Sequence, residues 1–164
     1  MIFSRSSSKL VLIVGISLVG MVALLPIALS TLRTQMIADR QAKTQHMVDV
    51  CYGILAHYQK LESDGKLPRE QAQAAAIAQI KSLRYDKVEY FWLNDMAAKM
   101  IMHPIKPELD GKDLSDMKDP TGNRLFSGFV DVVKTQGAGF YSYLWPKPGF
   151  DQPVGKISYV KGFA

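Results

Sequence analysis

From Leu10 to Leu32 the chain runs 23 residues without one charged side chain. About 20 consecutive apolar residues are enough to cross the hydrocarbon core of a bilayer as a helix. A run of this length spans it with some tilt. Pro26 falls inside the run and is tolerable there, because neighbouring groups in a membrane can satisfy the backbone that a proline frees. A cleaved leader has an apolar core of only about 7–15 residues followed by a small-residue cleavage site. The longer run and the lack of such a site predict an uncleaved anchor. Arg5 and Lys9 precede it with no acidic residue, which predicts that residues 1–9 stay in the cytoplasm. Arg33, Arg40 and Lys43 follow and weaken that bias without reversing it. The remainder is then expected outside the inner membrane, periplasmic in a Gram-negative cell.

Beyond the anchor the composition is that of an ordinary polar, basic domain. The formal charge is +5, from 20 basic and 15 acidic residues. Those lysines and arginines are scattered rather than massed on a stripe, so nucleic acid is not a predicted partner. Cys51 is alone, which leaves no intrachain disulfide and no thiolate metal site. His46, His57 and His103 are the only histidines and form no metal-ligand pattern such as His-Glu-x-x-His. There is no P-loop, no Gly-x-Ser-x-Gly and no paired-carboxylate site, so the chain is not expected to be an enzyme or to carry a cofactor. Asp110, Asp113, Asp116 and Asp119 raise the question of calcium. An EF-hand loop counted from Asp110 would need a glutamate where Thr121 stands. The aspartates are read as turn and capping residues.

Residues 33–63 contain no proline and one glycine, Gly53. Met47, Cys51, Ile54, Tyr58 and Leu61 recur at spacings of four and three, one apolar stripe on a helix. A single long helix is predicted, continuous or nearly so with the anchor, its second half packed on a sheet. Asp64-Gly65-Lys66-Leu67-Pro68 ends it and opens another. In that second helix, residues 69–83, Ala72, Ala76, Ile80 and Leu83 share a face. Later, Asp119-Pro120-Thr121-Gly122 turns into a helix whose buried face is Leu125, Phe126, Phe129, Val130 and Val133, closed by Gly137.

The strands carry the candidate site. Aromatic and apolar residues run from Val88 to Leu93, break at Asn94-Asp95, and resume at Met100-Ile101-Met102. Alternation puts Tyr90, Trp92 and Asn94 on one side and Glu89, Phe91 and Leu93 on the other. On the returning strand His103 falls on the side of Ile101 and Lys99, and Pro104 ends the ladder. The group predicts a small pocket walled by polar-tipped aromatics and a histidine. The prolines and glycine of residues 104–111 predict a fixed, irregular loop. Residues 140–145 alternate as a strand with Tyr141, Tyr143 and Trp145 on one face. A last strand, residues 154–163, places Lys156, Ser158 and Val160 opposite Ile157, Tyr159 and Lys161. The chain then stops without a closing strand and looks cut short.

A set of motifs in order resembles a known family. They are Tyr90-Phe91-Trp92-Leu93-Asn94-Asp95, Met102-His103-Pro104, Pro107-x-Leu109-x-Gly111-Lys112-Asp113-Leu114 and Asp119-Pro120-x-Gly122. Gly137-x-Gly139-Phe140-x-x-Tyr143-x-Trp145-Pro146-Lys147-Pro148 and Pro153-x-x-Lys156-x-Ser158-Tyr159-Val160-Lys161 complete the set. Together they resemble the single Cache sensor domain, second subtype, of bacterial chemoreceptors and sensor kinases, over residues 33–164 and C-terminally incomplete. The resemblance implies an α+β fold, with a PAS-like antiparallel sheet and a long N-terminal helix preceded by one transmembrane helix. It also implies a homodimeric receptor, a methyl-accepting chemotaxis protein, that binds a short carboxylate such as acetate, propionate, pyruvate or lactate. The alternatives are a histidine kinase or another output class, or a membrane-anchored structural domain without ligand. For a carboxylate the leading cation is Lys156, with His103 and the hydroxyls of Tyr90, Tyr143 and Tyr159 as donors. Trp92 and Trp145 supply walls and an indole N–H. Lys156 and Tyr159 point opposite ways unless a bulge intervenes, and Lys156 is placed ahead.

Overall fold

The computed structural model describes residues 5–163, so the first four residues of the expected cytoplasmic segment lie outside it. Helix α1 spans Arg5–Ser63. The chain divides into two compact units, one ending at Ala42 and one beginning at Lys43.

Among the described residues the first unit is helix alone. Its side chains from Leu10 to Leu32 are exposed, so packing within the protein does not account for its apolar character. One helix among the described residues is long and apolar enough to cross a membrane. Around Pro26 the hydroxyls turn onto the helix itself. Ser30 Oγ and Thr31 Oγ1 donate to the Ile27 carbonyl at 2.8 and 2.9 Å, and Thr34 Oγ1 donates to that of Ser30 at 2.9 Å. Side chains satisfied in this way present little polarity to an apolar surround.

The second unit holds the end of α1, then α2 (Arg69–Ser82), β1 (Leu93–Asn94), β2 (Met100–Met102), a 3-10 turn at Pro107–Leu109, α3 (Leu125–Gln136), β3 (Ala138–Pro146) and β4 (Pro153–Lys161). Its strands form two antiparallel pairs, β1 with β2 and β3 with β4. The predicted strand from Val88 is shorter than its composition suggests. Asp86 and Lys87 take positive φ (44° and 74°) and fold Tyr85 back onto Glu89. Tyr85 and Glu89 exchange backbone hydrogen bonds of 3.0 and 2.9 Å. These satisfy locally the groups that a longer ladder would need.

Two cores result. In one, Cys51 on α1, Ile80 on α2 and Met102 are buried, with Ile54, Leu55, Phe91 and Leu93 packed against them. The helical stripe thus packs on α2 and the first hairpin. Burial pushes the Cys51 thiol up to about 11, which leaves it protonated and inert. In the other core, Leu125, Phe126, Phe129 and Val130 of α3 meet Tyr143 and, from the first hairpin and its loop, Met100, Leu109 and Leu114. Each large apolar side chain so buried contributes on the order of 1.5–3 kcal/mol. Tyr90 and Trp92 face this second core while Phe91 and Leu93 face the first, so the alternation survives without a regular ladder. The acidic loop is a set of turns, as predicted. Asp119 accepts from the backbone N–H groups of Thr121, Asn123 and, 25 residues on, Leu144, at 2.9–3.0 Å. With the Thr121 hydroxyl as the largest cause, these bonds hold its carboxyl well below the usual range.

Candidate functional site

β3 and β4 pair residue for residue, Tyr143 opposite Lys156 and Tyr141 opposite Ser158. One face of this hairpin therefore carries Tyr141, Tyr143, Trp145, Lys156, Ser158 and Val160, as alternation requires. Tyr141, Tyr143, Trp145 and Val160 pack on the core built around α3. Tyr159 lies on the opposite face, its ring 4.9 Å from that of Phe140. The structure does not bring it to the other candidates, since the ladder has no bulge there.

His103 departs from the expected parity. Ile101, its predicted neighbour in facing, is exposed (46%), whereas His103 is 3% exposed. The strand ends at Met102, and beyond it alternation no longer governs direction. The backbone N–H of His103 donates to Asp110 Oδ1 at 2.7 Å, and its Nδ1 accepts from the N–H groups of Lys106 (2.9 Å) and Ile105 (3.3 Å). An Nδ1 that accepts puts the proton of a neutral imidazole on Nε2. Burial lowers the pKa to about 4 against the opposing Asp110 and Glu108, with smaller lowering contributions from Lys106 and Lys156. At neutral pH His103 is an uncharged donor through Nε2.

Five of the predicted residues converge. Tyr90, Trp92, His103, Tyr143 and Trp145 line one pocket with Leu125, Phe126 and Phe129 of α3. The His103 ring is 5.0 Å from that of Tyr90 and 6.1 Å from that of Trp145. Trp145 Nε1 donates to the Tyr90 hydroxyl at 3.2 Å, so that hydroxyl keeps its own proton to give. Lys156 Nζ sits 5.0 Å from the Tyr90 ring centroid. The lysine side chain is 13% exposed and pairs with Glu89 Oε2 at 3.5 Å. Burial raises the pKa of Tyr90 and of Tyr143, so both stay protonated. Tyr143 shares a 2.9 Å hydrogen bond with Ser158 Oγ. Trp92 spends its N–H on Asn94 Oδ1 at 3.1 Å and is left as wall, its ring 5.3 Å from Phe129.

The pocket is thus aromatic and apolar with a few donors in its lining, and one cation, Lys156, lies beside Tyr90 without being among the lining residues. Glu89 is the carboxylate that occupies that cation. The enclosed space is about 10 Å³, room for roughly one water, so a larger occupant requires side chains to move. Sequence reasoning missed Glu89 and the three residues from α3. The apolar face of α3 was visible, but what it faces is a tertiary fact. Glu89 was assigned away from Tyr90 by alternation, which the turn at Asp86-Lys87 interrupts.

A Cache domain family model matches residues 23–164. The chain is 42% identical over 154 residues to methyl-accepting chemotaxis protein McpP of Pseudomonas putida, covering 94% of this chain and 28% of that protein. It is 28% identical over 134 residues to sensor histidine kinase MctS of Rhizobium johnstonii, covering 81% of this chain and 28% of the kinase. The chain therefore spans under a third of the length of these relatives. Among solved structures, a periplasmic sensor domain of a chemotaxis protein superposes with a TM-score of 0.77 at 45% identity, covering 78% of this chain and 89% of that one. A Cache chemosensory domain described for carboxylic acid recognition superposes with a TM-score of 0.76 at 47% identity, covering 79% and 88%.

Proposed function

Because this chain belongs to the Cache family of ligand-binding, non-enzymatic sensor domains, we propose that it is the extracytoplasmic sensor of an inner-membrane chemoreceptor that recognises a small monocarboxylate. The observation that carries the reading is one aromatic pocket lined by Tyr90, His103 and Trp145, with the Lys156 ammonium 5.0 Å from the Tyr90 ring centroid. An organic anion needs charge and donors at its carboxylate and an apolar wall for its tail. Phe126, Phe129 and Trp145 supply that wall. Likeness to a carboxylic acid-recognising domain supports the same class.

In this reading residues 10–32 are the membrane anchor, residues 33–164 belong to the sensor, and the receptor works as a homodimer. An entering carboxylate competes with Glu89 for Lys156. Breaking that pair releases the segment that leads into β1, and a signal follows only because one of two conformations then binds the ligand better. The resemblance to a sensor kinase favours histidine kinase output as the second reading.

The test is calorimetry and thermal shift of the full chain in detergent against acetate, propionate, pyruvate and lactate. A ligand bound only by the folded state raises the melting temperature with concentration. Lys156→Ala is expected to lose at least tenfold in affinity, the equivalent of about 1.5 kcal/mol for a charged hydrogen bond, while still folding. Unchanged affinity in that variant removes Lys156 from the site. A folded wild-type protein unmoved by every acid refutes the ligand class.

A further inference from the structure

The pairing of Lys156 with Glu89 bears on which acids the site admits. Lys156 Nζ lies 3.5 Å from Glu89 Oε2, with the lysine side chain 13% exposed and the glutamate side chain 31%. Together the two charges cancel, and Lys156 is the cation beside Tyr90. No residue that lines the pocket adds a positive charge at neutral pH. His103 is the one basic side chain in the lining, and burial keeps it neutral. The other charges acting on His103 are Lys106, near the Trp145 ring, and the opposing Asp110 and Glu108. Once Glu89 is counted, these negative groups outnumber the positive ones. Glu89 cannot withdraw far, because the next residue, Tyr90, is part of the pocket wall.

We propose that Glu89 is a specificity-determining residue that restricts the site to acids with a single carboxylate. The inference rests on the carboxylate reading of the pocket and narrows the class of acid within it. A monocarboxylate takes the place of Glu89 on Lys156 and leaves one negative charge uncompensated, on a side chain with access to water. A dicarboxylate leaves two, and the second is held near Glu89 with no cation in the pocket lining to meet it. At an effective dielectric constant of about 20, a like charge a few ångströms away weakens binding on the order of a hundredfold. The partial exposure of Glu89 reduces this to about tenfold.

The experiment is calorimetry of the full chain in detergent, at about pH 7.5 and low salt, with propionate, malonate and malonamate as probes. Malonate carries a second carboxylate where propionate has a methyl group, and both its carboxyls are ionised at that pH. Malonamate has an uncharged amide of the same size in that place. Wild-type protein is expected to bind malonate at least about tenfold more weakly than malonamate. Glu89→Gln keeps the shape of the side chain and drops its charge. That variant is expected to narrow the gap about tenfold and to bind propionate about two- to fivefold more tightly, the worth of a partly exposed ion pair. In the wild type, 0.5 M salt is expected to narrow the same gap severalfold, because screening acts on charge and not on size.

A gap unchanged in folded Glu89→Gln overturns the proposal. Should that variant fail to fold, a wild-type gap unmoved by salt does the same. Equal affinity of the wild type for malonate and malonamate also overturns it, and if both are rejected the selection is by size. Wild-type protein that fails to bind propionate overturns the carboxylate reading itself, and the selector with it. Propionate binding with an unaltered gap overturns only the selector.

Discussion

His103 makes the stability of the sensor domain depend on pH in a window that carboxylates alone do not produce. Its pKa is about 4 in the folded protein, against an ordinary value of 6.5. As pH falls, the unfolded chain takes up the proton first, so folding is opposed from pH 6.5 downward. The contribution is fully present above pH 6.5, declines through the interval to about 4, and levels off below it. At about 1.4 kcal/mol per tenfold change in the proton equilibrium, the full interval amounts to about 3 kcal/mol. Residual solvent access at the ring brings the expected loss to about 2–3 kcal/mol. The comparison variant is His103→Asn, whose Oδ1 replaces Nδ1 as acceptor for the N–H groups of Ile105 and Lys106 and does not titrate. Urea unfolding of both proteins, followed at fixed ionic strength from pH 7.5 to 4, gives a difference curve in which other acids cancel. That difference should shift by about 2–3 kcal/mol across the window, with the wild type losing ground as pH falls. A flat difference curve, or one of opposite slope, refutes the assignment of His103 as a buried neutral donor.

Two packing predictions test the frame that holds the pocket. A Cβ added at Gly128 would lie 2.4 Å from the Tyr141 ring, so Gly128→Ala should destabilise by about 1–2 kcal/mol despite the better helix former, as overpacking typically does. Denaturant unfolding reads this directly, and a more stable variant would show that α3 and β3 separate easily. Lys87 holds a φ of 74°, which costs a side-chain-bearing residue about 1 kcal/mol. Lys87→Gly should therefore stabilise by about 0.5–1 kcal/mol in the same assay, and a loss would place the cost elsewhere in the turn.

What was legible in the residue pattern is what short-range physics controls. The uncharged run from Leu10 to Leu32, the helical stripe through Cys51 and Ile54, and the alanine face of α2 each follow from spacing within a few turns. The same holds for the shared facing of Tyr143, Trp145 and Lys156, because a regular β ladder repeats every two residues. Alternation by itself also separates Lys156 from Tyr159. That rule lapses where a ladder stops. Past Met102 the chain turns inward on Asp110 and buries His103 beside Tyr90, although alternation had set it with the exposed Ile101. Folding back at Asp86-Lys87 likewise brought Glu89 to Lys156, a partner 67 residues further along. The phenylalanines of α3 announced a buried face, but that this face is the wall of the pocket depends on how α3 meets β3 and β4. Local propensity acts over a few residues. The choice of neighbours around Lys156 is made by contacts that loops of many tens of residues must close, and those are decided only when the cores pack.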